Sequence, residues 1–231
     1  GLSVGDWVEV EGMVSSVTTP STVAGDVVGP PLLTSAGPVT RWAMLKAPGR
    51  ALVDHSVTAV GDLAVVVGGH DGTNYRDECS LFEITTEAEV AADARQFAYT
   101  WDSGTDIPAA RSRHRALAPQ HPQLRGAVFV TGGYDGTALD TCYRYDPADD
   151  SWTTLDSMTT ARYWHELVEL TDGKILAVGG FGGGGTPVTS VELYDPATDT
   201  WSTVSSMNFP RARFAVALTS SGEVVVSGGL T

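Results

Sequence analysis

Short apolar runs recur along the chain, and each of them ends in a pair of glycines. Runs such as Val224–Val226 are β-branched, which is typical of strands buried on both faces. Other segments alternate apolar and polar residues, as Val191–Tyr194 does, and this pattern predicts half-buried strands. The runs and their glycine pairs are Leu63–Val67 before Gly68 and Gly69, Val128–Thr131 before Gly132 and Gly133, Ile175–Val178 before Gly179 and Gly180, and Val224–Ser227 before Gly228 and Gly229.

Further residues keep a fixed register with the glycine pairs. A tryptophan follows three of the pairs, an arginine stands ten residues after each tryptophan, and two of the arginines are followed three residues later by a histidine. The first glycines are separated by 64, 47 and 49 residues, so the chain contains a repeat. The recurring residues are Trp101, Trp152 and Trp201, then Arg111, Arg162 and Arg211, and finally His114 and His165, with Phe214 in the histidine position of the last unit.

Turn sequences separate the runs within each unit. Glycine, which accepts positive φ, follows an aspartate or serine at Asp71-Gly72, Asp135-Gly136, Asp172-Gly173 and Ser221-Gly222. Four short strands in about 50 residues make one blade of a β-propeller. The sequence therefore predicts an all-β fold.

The order of motifs resembles that of the kelch-repeat family: Arg-x-x-His, an apolar strand, Gly-Gly, a turn, a Tyr-Asp-Pro strand and then Trp. The resemblance runs from Trp42 to the C-terminus and is strongest from Arg111 to Arg211. It implies a kelch-type β-propeller with about four to five blades in this chain. Because kelch propellers usually have about six or seven blades, we expect this chain to be part of a larger propeller.

Each recurring residue type suggests a structural role. The glycine pairs should allow the inner strands of one blade to approach the next blade closely. The tryptophans should supply buried area between blades and use the indole N–H as a tether. The arginines should bond to carbonyl groups or to the aspartate of the Tyr-Asp-Pro turn and so join neighbouring blades.

Two segments depart from the repeat. Residues 85–99 form an insertion rich in helix formers, which predicts a surface helix or acidic flap, with a tolerated loop insertion as the alternative. Residues 1–41 predict an irregular N-terminal segment whose strands, near Trp7 and Trp42, would close the last blade. We therefore divide the chain into this segment and a propeller region, 42–231.

The net charge of −14 limits the classes of partner. So acidic a surface repels phosphate backbones and anionic lipids, which argues against nucleic acid and membrane partners. Acidity alone would also keep a Val- and Gly-rich protein soluble. The two cysteines, Cys79 and Cys142, fall at similar places in successive repeats, and we expect separate core residues rather than a disulfide.

Enzymatic chemistry is weakly indicated. The kelch family includes a copper oxidase and sugar-processing enzymes, and His55, His114 and His165 stand at similar positions of successive units. Residues a whole blade apart are too distant to share one metal ion, so we expect structural histidines, no metal and no cofactor. The run Gly179–Gly185 lacks the Lys-Ser/Thr of a phosphate-binding loop and predicts a flexible turn. No residue is predicted to be catalytic.

A ligand site is better indicated. In kelch proteins that bind peptides, one mouth of the central channel is lined by the residue after each glycine pair and by the residues after each repeat arginine. The resemblance therefore implies a ligand-binding role for nine residues of this chain, with packing between blades as the alternative for about half of the nine. The residues are His70, Tyr134, Phe181 and Leu230 after the glycines, and Ser112, Arg113, Tyr163, Trp164 and Arg213 after the arginines.

These observations favour a non-enzymatic interaction or scaffold module within a larger complex, with a protein or peptide partner. Because the chain is poor in positive charge, Arg113 and Arg213 suggest a partner that is an acidic peptide or a carboxylated glycan. The alternatives are a glycan-binding or glycan-modifying propeller outside the cytoplasm, and a structural subunit that pairs through its open edge. The wording of the repeats resembles bacterial-type or secreted kelch proteins, which slightly favours an extracytoplasmic location.

Overall fold

The computed structural model describes residues 7–10, 43–46, 52–85 and 98–231. Within these ranges every regular element is a β-strand, as the alternation and the β-branched runs predict. The same ranges contain no helix long and apolar enough to cross a membrane. Residues 86–97, which make up most of the predicted insertion at 85–99, lie outside the described residues.

Three four-stranded antiparallel sheets follow one another along the chain, and in each the strands pair in sequence order. The first sheet consists of β3 (Ser56–Val60), β4 (Leu63–Val67), β5 (Cys79–Thr85) and β6 (Ala98–Gly104). The second consists of β7 (Arg115–Leu117), β8 (Val128–Tyr134), β9 (Ala138–Asp146) and β10 (Ser151–Leu155). The third consists of β11 (Glu166–Glu169), β12 (Ile175–Val178), β13 (Val191–Asp195) and β14 (Thr200–Val204).

Two smaller sheets precede and follow these three along the chain. At the C-terminal side β15 (Ala215–Leu218) pairs with β16 (Val224–Ser227), and near the N-terminus β1 (Trp7–Val10) pairs with β2 (Ala43–Lys46). The described strands of the N-terminal segment thus pair with each other rather than with β15 or β16. Closure of the last sheet by these strands stays a prediction.

The sheets are set around an axis, with their first strands innermost. The first strands contact one another in succession, β3 with β7, β7 with β11 and β11 with β15. The core lies between the sheets: Val65 and Val67 of the first sheet cluster with Val128 and Val130 of the second. This is the radial arrangement of propeller blades, and the predicted fold class is confirmed.

The glycine pairs lie where one sheet meets the next. A Cβ atom on Gly68 would lie 2.5 Å from the carbonyl oxygen of Arg111, and Gly132 is in the same relation to Arg162. Both glycines have positive φ, which a side chain would also oppose. The amide of the second glycine then donates to that same carbonyl, at 2.7 Å from Gly69 to Arg111. Glycine is therefore required for the hydrogen bond that joins adjacent sheets.

The three repeat tryptophans make equivalent ring contacts. Each pairs across strands with an aromatic ring of the neighbouring strand: Phe82 for Trp101, Tyr145 for Trp152 and Tyr194 for Trp201. The ring centroids lie 4.9, 4.8 and 5.1 Å apart.

The indole N–H groups serve as tethers. Trp152 Nε1 donates to the carbonyl of Thr105 at 2.7 Å, and Trp201 Nε1 donates to that of Asp156 at 3.0 Å. Each accepting carbonyl belongs to the segment that leaves the preceding sheet. The predicted tether between sheets is confirmed for these two tryptophans.

The repeat arginines bond to carbonyl groups, as predicted. Arg111 and Arg162 are fully buried, and their Nη1 atoms donate to the carbonyls of Gly132 and Gly179 at 2.8 and 2.7 Å. Arg211 reaches the carbonyl of Gly228 in the same way. The side chain thus secures the glycine corner of its own sheet, so the prediction that it joins neighbouring blades is wrong. The main chain of the arginine makes that connection instead, through its carbonyl.

The alternative partner predicted for these arginines, the aspartate of the Tyr-Asp-Pro turn, is wrong. Asp146 pairs with Arg144, and Asp195 pairs with Lys174. Another aspartate fills the turn instead: the hydroxyls of Tyr145 and Tyr194 donate to Asp150 and Asp199, respectively.

The two buried arginines have different counter-groups at the same strand position. The guanidinium of Arg111 lies 4.6 Å from the centroid of Tyr143, a cation–π contact. That of Arg162 pairs at 2.6 Å with Glu192, and neither side chain is exposed. Burial alone would raise the pKa of Glu192, but hydrogen bonds from Arg162 and from the Thr159 amide outweigh it, so the pKa lies below its usual range. Glu192 is therefore ionised.

The repeat histidines join adjacent sheets and are neutral. His114 Nε2 lies 2.7 Å from Ser56 Oγ, and His165 Nε2 lies 2.8 Å from Thr131 Oγ1, in each case a hydroxyl of the preceding sheet. Burial and nearby arginines lower the pKa of His114 to about 3 and hold that of His165 well below its usual range. In the last sheet Phe214 takes the histidine position and packs against Val178 instead.

The cysteines are free and buried, as predicted. Burial raises the pKa of both thiols to about 12. Cys79 lies in the core between the first and second sheets, and Cys142 lies in a separate cluster with Met158 and Ala177. They act as small core residues.

We expect Glu192→Gln to lower the free energy of unfolding by about 3–5 kcal/mol, because it leaves the charge of Arg162 buried without a counter-charge. Chemical denaturation of the purified protein measures this loss. The matched control is Glu166→Gln, which breaks a partly exposed pair with Arg115 and should cost at most about 1 kcal/mol. Equal losses in the two variants would contradict the role given to Glu192.

We expect Thr131→Val to lower the free energy of unfolding by about 1–3 kcal/mol, because Nε2 of buried His165 loses its hydrogen-bond partner. The double variant Thr131→Val, His165→Phe reproduces the Val178–Phe214 pairing of the last sheet and should recover part of that loss. Denaturation of both variants at neutral pH provides the comparison. If Thr131→Val were as stable as the unmodified protein, the hydroxyl would contribute nothing to the free energy of unfolding.

The same histidine predicts a pH dependence. Since the folded protein keeps His165 neutral while the unfolded chain accepts a proton near pH 6.5, its stabilising contribution is present above that pH and is lost as the pH falls. His165→Phe should therefore flatten the decline in the free energy of unfolding between pH 7 and pH 5, values that bracket the ordinary histidine pKa. An unchanged slope would contradict the neutral state.

Candidate functional site

Four residues at one end of the inner strands share an unusual backbone conformation. Asp54, Arg113, Trp164 and Arg213 have φ values of 57°, 58°, 50° and 53°. Each stands directly before the histidine position, or its Phe214 equivalent, of its sheet. A left-handed conformation costs a residue with a side chain about 1–2 kcal/mol, so the surrounding structure must hold all four in place.

A run of hydrogen bonds holds them there. The amide of Arg113 donates to the carbonyl of Asp54 at 2.8 Å, that of Trp164 to Arg113 at 2.9 Å, and that of Arg213 to Trp164 at 3.1 Å. Each bond passes from one sheet to the next. The four side chains are therefore brought together around the same mouth of the central channel.

The residues after the glycine pairs meet this run from the second strand of each sheet. Tyr134 exchanges two backbone hydrogen bonds with Ser112, at 2.8 and 2.9 Å, and Phe181 does the same with Tyr163. The pairs Val53 with His70 and Ala212 with Leu230 are equivalent. Both sets of residues that the sequence predicts for the ligand site thus lie at one mouth.

Aromatic rings from the three full sheets form a continuous surface at this mouth, which we call the aromatic row. Consecutive rings lie within contact distance, with centroids 4.8 Å apart for His70 and Tyr75, 5.8 Å for Tyr75 and Tyr134, and 4.8 Å for Tyr134 and Tyr163. Phe181 stacks on Tyr163 at 5.3 Å. The row consists of His70, Tyr75, Tyr134, Tyr163, Phe181 and Trp164.

Two guanidinium groups lie on the aromatic row. That of Arg113 is 4.3 Å from the Trp164 centroid and 5.1 Å from that of Tyr134. That of Arg213 is 3.2 Å from the Trp164 centroid. Arg113 Nε also donates to Asp54 Oδ2 at 3.2 Å. Trp164 therefore orients both cations, and Asp54 pairs with one of them.

The nine predicted residues differ in exposure. His70, Tyr134, Phe181, Trp164 and Arg113 are partly exposed, and Arg213 and Leu230 are exposed. The side chains of these seven residues are therefore accessible to solvent, and their predicted contact with a ligand stays a prediction. Leu230 stands apart in the two-stranded sheet, and its role stays a prediction.

Two of the nine residues are buried. Ser112 has no exposed surface, and its hydroxyl donates to the carbonyl of Tyr134. Tyr163 is 9% exposed and lies beneath its aromatic neighbours. Tyr163 is thus the buried member of the aromatic row and Ser112 lies beneath the row, so packing describes their positions better than direct ligand contact.

Sequence reasoning missed Tyr75 and Asp54. Tyr75 closes the turn that starts at His70 and bridges back to it, so its distance from the glycine pair conceals it. Asp54 stands directly before His55, as Arg113 stands before His114, and that register could have revealed it. The bridge between Val53 and His70 places Leu52 in the position that the repeat arginine occupies in the other sheets.

The glycine run after the third pair borders the mouth. Its backbone closes a turn in which Gly182 N donates to Thr186 O and Gly185 N donates to Gly182 O, both at 2.9 Å. The predicted turn is confirmed. It follows Phe181 directly and leaves Phe181 uncovered by side chains from residues 182–185.

The described residues contain no group of three or more His, Cys, Asp or Glu side chains that could hold a metal ion. The repeat histidines, a whole sheet apart, each bond to a hydroxyl instead.

Comparison with known proteins agrees with this architecture. The family model of the Kelch motif matches residues 122–159 and 168–208, the second and third sheets. A solved structure titled "Structure of YjhT" superposes with a TM-score of 0.56 at 14% identity, covering 71% of this chain and 55% of that one. At that identity the likeness concerns the fold alone.

Several relatives are named as kelch-repeat or kelch-like proteins. A kelch repeat and BTB domain-containing protein of Caenorhabditis elegans is 30% identical over 130 residues, which cover 56% of this chain and 20% of that protein. Kelch-like protein 36 of Bos taurus is 35% identical over 143 residues, or 61% of this chain and 20% of that protein. The chain thus spans about a fifth of the length of these relatives. With the repeat, the radial sheets and these matches in agreement, the chain contains kelch motifs and has the fold of a kelch-type β-propeller.

Proposed function

We propose that this chain is a non-enzymatic interaction module that binds an acidic segment of a protein partner at the mouth formed by the aromatic row, Arg113 and Arg213. The observation that carries the proposal is the convergence of these groups from four sheets on one partly exposed surface. Protein interaction is also in keeping with kelch-like relatives. Membership of a larger complex is part of the same proposal.

The chemistry of the mouth suits a protein segment. Partly exposed Trp, Tyr and Arg side chains are the groups that contribute most to protein interfaces. Apolar and aromatic side chains of a partner can pack on the row, while carboxylates reach the guanidinium groups.

Charge favours an acidic segment. Several other cations of the described residues are paired with carboxylates, as Arg76 is with Glu78 and Arg115 with Glu166. Arg213 is exposed and has no carboxylate partner among the described residues. In a chain of net charge −14, an available cation at the mouth is a local site for an anionic group.

The site is also pre-organised. Hydrogen bonds between sheets fix the backbone of Arg113, Trp164 and Arg213, and ring stacking fixes the position of the side chains. A ligand therefore orders few groups when it binds, which limits the entropic cost.

We expect the double variant Arg113→Glu, Arg213→Glu to abolish binding of acidic peptides. An array of acidic, neutral and basic peptides identifies the sequences that the unmodified protein binds, and fluorescence anisotropy then measures affinity for both proteins. Binding should also weaken with added salt, since partly exposed charges are screened. Arg144→Glu, on the outer part of the second sheet, is the control and should bind as before.

Unchanged affinity in the double variant would overturn the assignment of the mouth. Binding on a glycan array, with no peptide bound, would favour the alternative of a glycan-binding propeller, because aromatic rings also stack on sugars.

A further inference from the structure

We infer that Asp54 acts as an internal competitor for ligand carboxylates, so that Arg213 rather than Arg113 holds the anionic group of the partner. This inference rests on the proposed function and specifies how its site selects a ligand. It comes from the different side chains that the repeat places at four equivalent backbone positions.

The first step concerns Arg113. Its Nε donates to Asp54 Oδ2, while its guanidinium carbon lies against Trp164 and Tyr134. The two side chains of this ion pair are 29% and 31% exposed, so each is partly shielded from water. A ligand carboxylate that approaches Arg113 must displace Asp54 or meet its charge at short range, and either event lowers the affinity.

The second step concerns Arg213. Its guanidinium lies over the indole of Trp164 at 3.2 Å, so one face is covered and its edge is left to donate. A guanidinium edge offers paired N–H groups that fit a carboxylate. Its charge has no carboxylate partner within the part of the chain that the structure describes.

The third step concerns the order of the four positions. From the first sheet to the last they carry an aspartate, an arginine, a tryptophan and an arginine. Negative and positive charge are therefore separated along the mouth, with Asp54 at one end and Arg213 at the other. A bound acidic segment should place its carboxylates toward the last sheet and its apolar or neutral residues along the aromatic row toward Asp54.

The test uses single variants and a defined probe, a fluorescein-labelled hexaglutamate peptide, with anisotropy as the readout. Arg213→Gln should weaken binding at least about tenfold, since it removes the charged hydrogen bonds. Arg113→Gln should change the affinity by less than about threefold, because its charge is already paired.

Asp54→Asn should strengthen binding about fivefold, as the competing charge is removed. Asparagine accepts positive φ, so this variant preserves the backbone. Asp135→Asn is the matched control, because it removes one negative charge beside Tyr134 without touching Arg113, and it should have less than about twofold effect. In the Asp54→Asn background, Arg113→Gln should remove the gain in affinity.

The outcomes separate the inference from the proposed function. If the probe binds and the two arginine variants weaken binding equally, or if Asp135→Asn matches Asp54→Asn, the internal competitor is disproved while the binding site stands. If neither the unmodified protein nor Asp54→Asn binds the probe or any acidic peptide of the array, the proposed function itself fails. Binding by Asp54→Asn alone would support the competitor in its strongest form.

Discussion

The structure depends on one close approach between main chains. Where each sheet meets the next, the amide of the second glycine of a pair donates to the carbonyl of the following repeat arginine, at a distance that leaves no room for a Cβ atom on the first glycine. The guanidinium of that arginine then turns back to the glycine carbonyl of its own sheet. One residue thereby determines both the contact between sheets and the corner within a sheet, and the tryptophan tethers act on the outer side of the same junctions.

The mouth of the channel is a product of these junctions. The residue that lies two positions after each arginine has a left-handed backbone, because its amide must reach the carbonyl of its counterpart in the preceding sheet. That geometry directs four side chains to one place, whatever their identity. The scaffold therefore leaves residue type free to vary at these positions, and here they carry charges and an indole in place of apolar groups.

The fold could be predicted from the sequence because the residues that join the sheets recur at a fixed spacing. Glycine pairs, tryptophans and arginines keep their register over the second and third sheets, and each acts through backbone contacts that any chain with this spacing would make. The resemblance to kelch proteins also implied the positions at the mouth, and the fixed distance from the arginines to Arg113 and Trp164 allowed them to be carried over. What the register does not show is exposure: Ser112 and Tyr163 follow the same rule as Arg113 and Trp164, yet they are buried.

Residue pairs that break the repeat could not be predicted. Asp54 lies in a unit that has Leu52 where the others have arginine, so the motif that marks the position is absent there. The counter-group of Arg162 is a glutamate and that of Arg111 is a tyrosine, at the same strand position. A consensus sequence of the repeat would not show that this position carries a glutamate in one unit and a tyrosine in another. These differences are set by contacts across strands, which spacing along the chain does not reveal.

The hydroxyl partners of the histidines have a consequence for how such a chain can change by duplication of its units. Arg162 and Glu192 belong to one sheet, so an exchange of whole units that starts before the arginine carries both together. Thr131 and His165 belong to successive sheets, so the same exchange separates them. It can place a histidine beside a valine, because Val178 stands in the third sheet where Thr131 stands in the second. Copies of this chain with exchanged units should therefore acquire compensating substitutions in the residue pairs that join successive sheets before they acquire them within a sheet.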